Sequence, residues 1–423
     1  MPSTAPEPSG SLKATVAQSF SDAFGSEPSG VWSAPGRVNL MGEHTDYNAG
    51  LCLPIALPHR TYAAVRLRPD RLLRLRSLQS SEVYDLDLDD VAPGNPSGWG
   101  GYAAGVVWSL EAAGHRVRGL DLMVDGQVPV GAGLSSSAAL ECAIAAAASD
   151  LMELALLSDD RARSTLARIC VNAENSIARA PTGGMDQSAS LRCQEAHALL
   201  LDCRDGSVQQ VPFDPSADGL SLLVMNTRAE HSLVDGQYEQ RRRSCEEAAR
   251  QLGVLSLREV PVDDLDQTLD RLSDRRIRAR AKHIVTEIDR VRQTVALLRA
   301  GRLPDVGPVF NSSHASMRDD FEISCAELDI AVDTATAHGA LGARMTGGGF
   351  GGSAIALVPT DRADTVTLAV IQAFADNRLA APDCFAVTAG VPARRDSSHH
   401  RAEASDAPKI PLCRAAGRPL RSG

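Results

Sequence analysis

One segment limits the fold more than any other: PVGAGLSSSA, Pro129 to Ala138, which joins a predicted strand to a long alanine-rich helix. Its glycines let backbone amides approach a ligand closely, and its serines fall at the helix start, where unpaired N–H groups and the helix dipole attract an anion. These features predict a phosphate cradle, with a flexible Gly/Ser connector as the alternative. The segment matches neither G-x-G-x-x-G nor G-x-x-x-x-G-K-[ST], so neither a Rossmann nor a P-loop fold is indicated.

The order of predicted elements indicates an α+β chain with two domains. Strand-like and helical segments are mixed along the chain, and 423 residues exceed the usual span of one hydrophobic core. We expect an N-terminal domain over residues 16–215 and a C-terminal domain over residues 216–393. The Pro-, Ser- and Gly-rich start predicts a loose tail over residues 1–15, and the polar end predicts a disordered tail over residues 394–423. Three or four helices are expected between Gly236 and His338.

Charge and cysteine content limit the partners and the compartment. The formal net charge of -10 disfavours nucleic acid or an anionic membrane as the main partner. No secretory signal or membrane-spanning segment is recognisable, so we expect a cytoplasmic protein. The nine cysteines are scattered without a C-x-x-C pair, which fits buried thiols better than disulfides or a zinc site. His399 and His400 lie in the basic tail and are weak metal candidates.

Three further segments have compositions that suggest chemistry. GRVNLMGEHTDYN, residues 36–48, concentrates an arginine, a glutamate, a histidine and an aspartate in a short stretch. GARMTGGGFGG, residues 342–352, holds five glycines in six positions, which favours contact with a ligand over a passive hinge. In PTGGMDQ, Asp186 follows a glycine pair; taken alone, it is best explained as a helix cap.

The order and spacing of these segments resemble those of the galactokinases, a branch of the GHMP kinase family. The resemblance covers about residues 20–390; the glycine segments are typical of all GHMP kinases, and GEHTDYN is specific to the galactokinase branch. Three positions depart mildly from the family pattern. Position 41, here Met, is usually Ile; position 49, here Ala, is usually Gly; and position 184, here Gly, is often Ile. The resemblance implies a two-domain GHMP kinase fold of the α+β class. Its N-terminal domain resembles a ribosomal protein, its C-terminal domain is ferredoxin-like, and the active site lies in the cleft between them.

The reaction implied by this resemblance is transfer of the ATP γ-phosphate to the anomeric hydroxyl of α-D-galactose, giving galactose 1-phosphate and ADP. Asp186 matches the family's catalytic base, and Arg37 matches the cation beside it. A hexose needs closely spaced acceptors and donors for its hydroxyls. The implied sugar-binding residues are Glu43, His44, Thr45, Asp46, Gly183 and Tyr238. Arg241 to Arg243, beside the tyrosine, are expected on a solvated helix face.

The nucleotide and metal sites are also assigned by matching positions. The phosphate cradle comprises Gly131, Ala132, Gly133, Leu134, Ser135, Ser136 and Ser137. Trp99 matches an aromatic residue near the family's adenine pocket, with core packing as the alternative. The cofactor is Mg²⁺, and Ser137 and Glu174 are its expected ligands, because one hydroxyl and one carboxylate are enough for an ion that keeps several waters.

Two rival functions follow from related sequences. Kinases of N-acetylgalactosamine usually vary the stretch after the histidine, so the intact HTDYN favours plain galactose. Some fungal homologues are non-catalytic sugar sensors that lack a Ser-Ala pair in the cradle, whereas Ser137 and Ala138 are present here. We therefore expect a kinase whose partners are galactose and ATP, without nucleic acid or membrane, acting as a monomer.

Overall fold

The computed structural model describes residues 9–180, 182–229 and 234–396. Within these ranges the strands are β1 (Gly30–Asn39), β2 (Leu51–Cys52), β3 (Pro54–Leu67), β4 (Leu72–Ser77), β5 (Tyr84–Asp87), β6 (Leu120–Gly126), β7 (His197–Asp202), β8 (Ser207–Pro212), β9 (Leu220–Asn226), β10 (Gly342–Thr346), β11 (Ser353–Pro359), β12 (Asp383–Val387) and β13 (Arg394–Asp396).

The α-helices of the same ranges are α1 (Ser9–Phe24), α2 (Trp99–Ala112), α3 (Ser136–Leu151), α4 (Asp160–Ala173), α5 (Met185–Arg192), α6 (Val234–Leu252), α7 (Leu265–Leu269), α8 (Arg275–Arg299), α9 (Val306–Ala315), α10 (Ala326–Ala337) and α11 (Ala363–Asp376). Two π-helical turns, Glu174–Ala178 and Ser316–Asp320, extend α4 and α9. Five helices therefore lie between residues 234 and 338, where the sequence predicted three or four.

The first half of the chain folds around a six-stranded sheet, in the order β13-β1-β3-β6-β4-β5. Its edge strand β13 comes from the end of the described chain. Only the β4–β6 pairing is parallel within it. Alternate residues of its central strands face opposite sides, as the pleat requires. Trp32, Ala63 and Val65 pack with α2, α3 and α4, whereas Val31 and Tyr62 pack on the other side against α1. Both faces of the sheet are thus covered.

Helix α1 corrects the predicted N-terminal tail. The sequence assigned residues 1–15 to a loose tail, but a helix begins at Ser9. Leu12, Val16 and Phe20 recur every four residues, so they form one apolar stripe, and all three are buried against the sheet. Residues 1–8 lie outside the described part.

The second half of the chain forms a four-stranded antiparallel sheet in the order β10-β11-β9-β12. Helices α9 and α10 contact its strands, and α11 packs against α10. A small third sheet, β2-β7-β8, belongs to the first half. One large apolar core includes Val38 and Leu53 of the first half together with Leu222, Ile288 and Ile355 of the second. The two halves therefore share buried surface.

The end of the described chain returns to the first sheet. Residues 394–396 form β13, which pairs antiparallel with residues 31–33 of β1. The predicted disordered tail is therefore wrong over these three residues, and residues 397–423, with His399 and His400, lie outside the described part. The proposed boundary after residue 215 remains a prediction; it falls between β8 and β9. In the described ranges, no helix combines the length and the apolar composition needed to cross a bilayer.

Candidate active site

Three segments that are far apart in the sequence meet around one carboxylate. Arg37, in the last part of β1, donates from Nε to Oδ1 of Asp186 at 3.0 Å and from Nη2 to Oδ2 at 3.2 Å. The Ser135 hydroxyl also donates to Oδ2, and Nη1 of Arg37 donates to the carbonyl oxygen of Gly133. Asp186 lies in the first turn of α5, which starts after Gly184 in the left-handed conformation. The predicted catalytic pair and the predicted cradle are thus in direct contact.

Three carbonyl groups of the cradle point toward the protein. The carbonyl oxygen of Ala132 accepts from Oγ of Ser353 at 2.7 Å, that of Gly133 from Arg37, and that of Leu134 from the Arg37 amide at 3.0 Å. In a trans peptide, the next N–H points opposite to the carbonyl. The three following amides therefore point away from these donors, immediately before the N-terminus of the 16-residue helix α3. This geometry suits a bound phosphate.

A cavity of about 480 Å³ lies beside the cradle. Trp99, Val128, Val130 and Leu140 supply much of its apolar lining, and Ser136 and Ser137 are also among its lining residues. The Trp99 ring meets Tyr84 edge-on at 5.3 Å between centroids, and its Nε1 is buried without a partner in the described structure. An apolar cavity that adjoins an anion site fits a nucleotide, with the base in the cavity and the phosphates at the helix.

The two predicted metal ligands are neighbours. Oγ of Ser137 donates to Oε1 of Glu174 at 3.0 Å, and Glu174 begins the π-helical turn after α4. Burial raises the pKa of Glu174 to about 7, and the charge of Asp186 adds to this effect. A hydroxyl and a carboxylate are hard oxygen donors of the kind that Mg²⁺ binds. Among the described residues there is no group of three or more His, Cys, Asp or Glu side chains that could hold a metal by itself.

Asp46, in the segment of residues 36–48 that is called the sugar motif below, lies against Gly183. A Cβ on Gly183 would lie 1.9 Å from Oδ2 of Asp46, so no side chain fits there without a shift. Burial raises the pKa of Asp46 to about 6, against the effect of nearby backbone hydrogen bonds and with a further rise from Asp186. The ring of Tyr238 stacks near His44, 5.1 Å between centroids. Asp46 and Tyr238, which are half-buried, form a polar corner with Gly183 near Asp186.

The structure gives Glu43 and Thr45 partners within the protein. Glu43 is 1% exposed; its Oε1 accepts from the amide of Gly347 at 3.1 Å, and its Oε2 pairs with Arg344. Burial raises the pKa of Glu43, while the Arg344 charge opposes this rise. Oγ1 of Thr45 contacts the carbonyl oxygens of Gly42 and Leu51 at 2.9 and 2.7 Å. Both side chains hold the sugar motif in shape.

Both ring nitrogens of His44 are engaged. Nε2 lies 3.0 Å from the carbonyl oxygen of Gly348, and Nδ1 lies 2.7 Å from the Tyr47 hydroxyl. Since a carbonyl can only accept, Nε2 carries the proton and Nδ1 accepts from the tyrosine. Burial lowers the pKa of His44 to about 4, so the ring is neutral at pH 7. His44 therefore links the sugar motif to the second glycine cluster.

The second glycine cluster, Gly347 to Gly352, connects β10 to β11 and abuts the first cradle. A Cβ on Gly347 would lie 2.9 Å from the carbonyl oxygen of Gly133. Gly347 and Gly349 also have φ of 87° and 84°, which glycine adopts without strain. The cluster thus fits between the sugar motif and the cradle, and whether it contacts a ligand remains a prediction.

Sequence reasoning missed two arginines. Arg241, expected on a solvated face, is buried and donates to the carbonyl oxygens of Phe321 and Glu322. Arg242 and Arg243 are exposed, as expected, and pair with glutamates on their own helix. Arg344, within the second glycine segment, is fully buried and pairs with two acids. A basic run on an amphipathic helix has no sequence signal that tells which arginine turns inward.

Three protein-family models match successive parts of the chain. The galactokinase galactose-binding signature matches residues 18–67, the GHMP kinases N terminal domain residues 101–194, and the GHMP kinases C terminal model residues 294–376. The first match contains the sugar motif, and the second contains the cradle and Asp186.

Relatives of known identity match most of the chain. A galactokinase of Streptomyces coelicolor is 51% identical over 383 residues, covering 90% of this chain and 98% of the relative. A galactokinase of Mycobacterium tuberculosis is 44% identical over 346 residues, covering 81% and 93%. The crystal structure of Lactococcus lactis galactokinase complexed with galactose superposes with a TM-score of 0.86 at 31% identity, covering 91% of this chain and all of that one. A mevalonate kinase structure, 15% identical with a TM-score of 0.60, shares the fold.

Proposed function

Because the chain belongs to the galactokinases of the GHMP kinase family, we propose that it transfers the ATP γ-phosphate to the anomeric hydroxyl of α-D-galactose. The products are galactose 1-phosphate and ADP, as in the entry step of galactose breakdown by the Leloir route. One observation carries the residue assignments: Asp186 accepts hydrogen bonds from both Arg37 and Ser135, so a single carboxylate joins the phosphate cradle to the polar corner around Asp46.

Galactose would bind beside Asp186. Asp46 offers ionised oxygens to sugar hydroxyls, and Gly183 lets the backbone lie against Asp46, because a Cβ there would collide with the carboxylate. Tyr238 supplies a ring and a hydroxyl at the same corner. We assign Glu43, His44 and Thr45 mainly to holding the motif, because the polar atoms of their side chains already have protein partners.

Asp186 would orient the anomeric hydroxyl and accept its proton while the phosphoryl group moves. Arg37 faces the same carboxylate with a 6% exposed side chain, and it offsets negative charge that develops on the phosphoryl oxygens. Since phosphoryl transfer passes through a loose transition state, the nucleophile needs little deprotonation beforehand. A carboxylate placed within reach is therefore sufficient.

ATP would lie along the cradle, with its phosphates at the amides that start α3 and its base in the cavity lined by Trp99. The cofactor is a divalent cation, and we propose Mg²⁺ held by Ser137 and Glu174 together with phosphate oxygens and water. Bound there, Mg²⁺ would neutralise phosphate charge. The oxygen-only donor pair, 3.0 Å apart, fits this ion.

Purified protein incubated with ATP, Mg²⁺ and a panel of sugars tests this function. We expect ADP release at ordinary kinase rates, about 1 to 100 turnovers per second, with galactose, and phosphorus NMR should identify an anomeric phosphate. ADP release with N-acetylgalactosamine but not with galactose would favour the related amino-sugar kinase. Binding of galactose without ADP release would favour a sugar sensor.

We also propose that the enzyme works as a monomer in the cytoplasm, where ATP and intracellular galactose are both present. Size-exclusion chromatography with light scattering checks the first part: a single species near 44.7 kDa is expected. A species of twice this mass would contradict it. Microscopy of a tagged full-length chain in its host checks the second part.

A further inference from the structure

Two side chains behind the proposed metal ligands, Glu141 and Gln187, have no part in the proposed reaction and complete a hydrogen-bonded ring with these ligands. Oε1 of Glu174 accepts from Ser137, while its Oε2 accepts from Nε2 of Gln187. The same Nε2 donates to Oε2 of Glu141 at 3.1 Å. Glu141 lies four residues after Ser137, on the same face of α3, so the ring closes through the helix.

Glu141 has no cationic partner within the described residues. It and Gln187 are both fully buried. A buried carboxylate without a counter-ion costs several kcal/mol, so the group becomes neutral instead. Burial raises the pKa of Glu141 well above its ordinary value, and the neighbouring charge of Glu174 adds to this rise.

Two buried oxygen atoms, Oε1 of Glu141 and Oε1 of Gln187, have no hydrogen-bond partner. The acid and the amide already face each other through Oε2 and Nε2. A proton on Oε1 of Glu141 would supply a donor for Oε1 of Gln187, and the two groups would then form a two-bond acid–amide pair. This pair uses one N–H of the amide and leaves the second N–H for Glu174.

We propose that Gln187, whose amide Glu141 holds from the other side, is a positioning residue that holds Glu174 so that only Oε1 faces Ser137 and the cation. This inference rests on the proposed function, because it assumes that Glu174 is a metal ligand. An amide held on both sides cannot rotate, so the carboxylate that it grips presents one fixed oxygen. Substituting such an outer partner of a metal ligand typically lowers metal affinity or activity by about 10- to 100-fold.

Mn²⁺ binding in the presence of a non-hydrolysable ATP analogue, followed by electron paramagnetic resonance, tests this role without turnover. We expect Gln187→Leu and Glu141→Leu to weaken Mn²⁺ binding at least tenfold. Glu141→Gln should stay within twofold of the wild type, because a glutamine at 141 can accept from and donate to Gln187 in the same two places. Gln210→Leu, at a half-buried amide on β8, is the matched control and should bind Mn²⁺ normally. Galactose affinity should not change in any variant.

Two results would overturn the proposal. If Glu141→Gln bound Mn²⁺ as weakly as Glu141→Leu, the charge of Glu141 would be needed and the acid–amide pair would be wrong. If Gln187→Leu bound Mn²⁺ like the wild type, Gln187 would not position Glu174. Thermal melting identifies variants that fail to fold, and Gln187→Met then replaces Gln187→Leu. A wild type that binds Mn²⁺ but does not phosphorylate galactose would count against the proposed function alone.

Discussion

At the scale of single residues, the proposed roles separate according to how deeply each side chain is buried. Asp46 and Asp186 are only partly buried, whereas Glu43 and His44 are almost fully buried. The sequence alone cannot tell the partly buried residues from the almost fully buried ones, because all four side chains are polar. We propose that the partly buried residues meet the sugar and that the almost fully buried ones hold the loop.

Replacing Asp186 with Asn tests the proposed base. The amide keeps the shape of the side chain but cannot accept a proton, so turnover should fall by about 10²- to 10⁴-fold. Galactose affinity, measured by calorimetry, should stay nearly unchanged. Asp263→Asn, an exposed position, is the control. Turnover within tenfold of the wild type would show that Asp186 is not the base.

The pH dependence of sugar binding should report Asp46. Its pKa is raised to about 6, so the carboxyl is ionised above that pH and becomes protonated as the pH falls below it. If ionised Asp46 accepts sugar hydroxyls, galactose affinity should be full at pH 7 and about tenfold lower at pH 5. His44, with a pKa lowered to about 4, stays neutral over this range. Calorimetry without nucleotide or metal gives the measurement, and Asp46→Asn should bind weakly with no pH dependence.

At the scale of elements, one prediction follows from the backbone conformation of a turn and another from the burial of a helix. Ala49, where the family usually has glycine, takes the left-handed conformation with φ of 53° and ψ of 29°. This conformation costs a non-glycine residue about 1–2 kcal/mol, whereas glycine loses about 0.4–1 kcal/mol through its freer unfolded chain. Ala49→Gly should therefore raise the free energy of unfolding by roughly 0.5–1 kcal/mol. Ala300→Gly, at φ of -84°, is the matched control and should lower it. Urea denaturation measures both.

Helix α1 yields the second prediction at this scale. Phe20 is fully buried between the helix and the six-stranded sheet. Phe20→Ala should therefore lower the free energy of unfolding by about 3–5 kcal/mol, because it leaves a cavity. A loss below 1 kcal/mol in urea denaturation would mean that α1 does not stay docked. Leu368→Ala, at an exposed leucine on α11, should cost much less.

Much of the element order could be predicted from the sequence, because several elements have a regular pattern of apolar residues. The helix after PVGAGLSSSA and the strands β3, β6, β9 and β11 have clear apolar patterns, and the structure contains them. Helix α1 was missed because its stripe of three apolar residues is embedded in serine and alanine. Strand β13 was missed because residues 394–396 are charged, and their pairing with β1 depends on a partner more than 360 residues away. Local patterns contain no information about such contacts.

At the scale of the whole molecule, a buried ionic network joins the sugar motif to the second half of the chain. Arg344 on β10 pairs with Glu43 and, at 3.3 Å, with Glu287 on α8. Glu287 also accepts from Arg290 and from Ser313. Burial raises the pKa of Glu287, but the neighbouring arginines and His283 outweigh this and lower it to about 2 overall. The carboxylate is therefore ionised, and the network depends on paired charges.

Arg344→Met should destabilise the fold and weaken sugar binding together. Removing the cation leaves two buried carboxylates short of a partner, and breaking such a pair costs about 3–5 kcal/mol. Because Glu43 also holds Gly347, the loop that contains His44 and Asp46 should lose its fixed position, and galactose affinity should fall along with the melting temperature. Arg228→Met, at an exposed arginine whose ion pair with Asp383 spans 4.0 Å, should change neither by much. If Arg344→Met lowered the melting temperature but left galactose affinity intact, the network would stabilise the fold without shaping the sugar site.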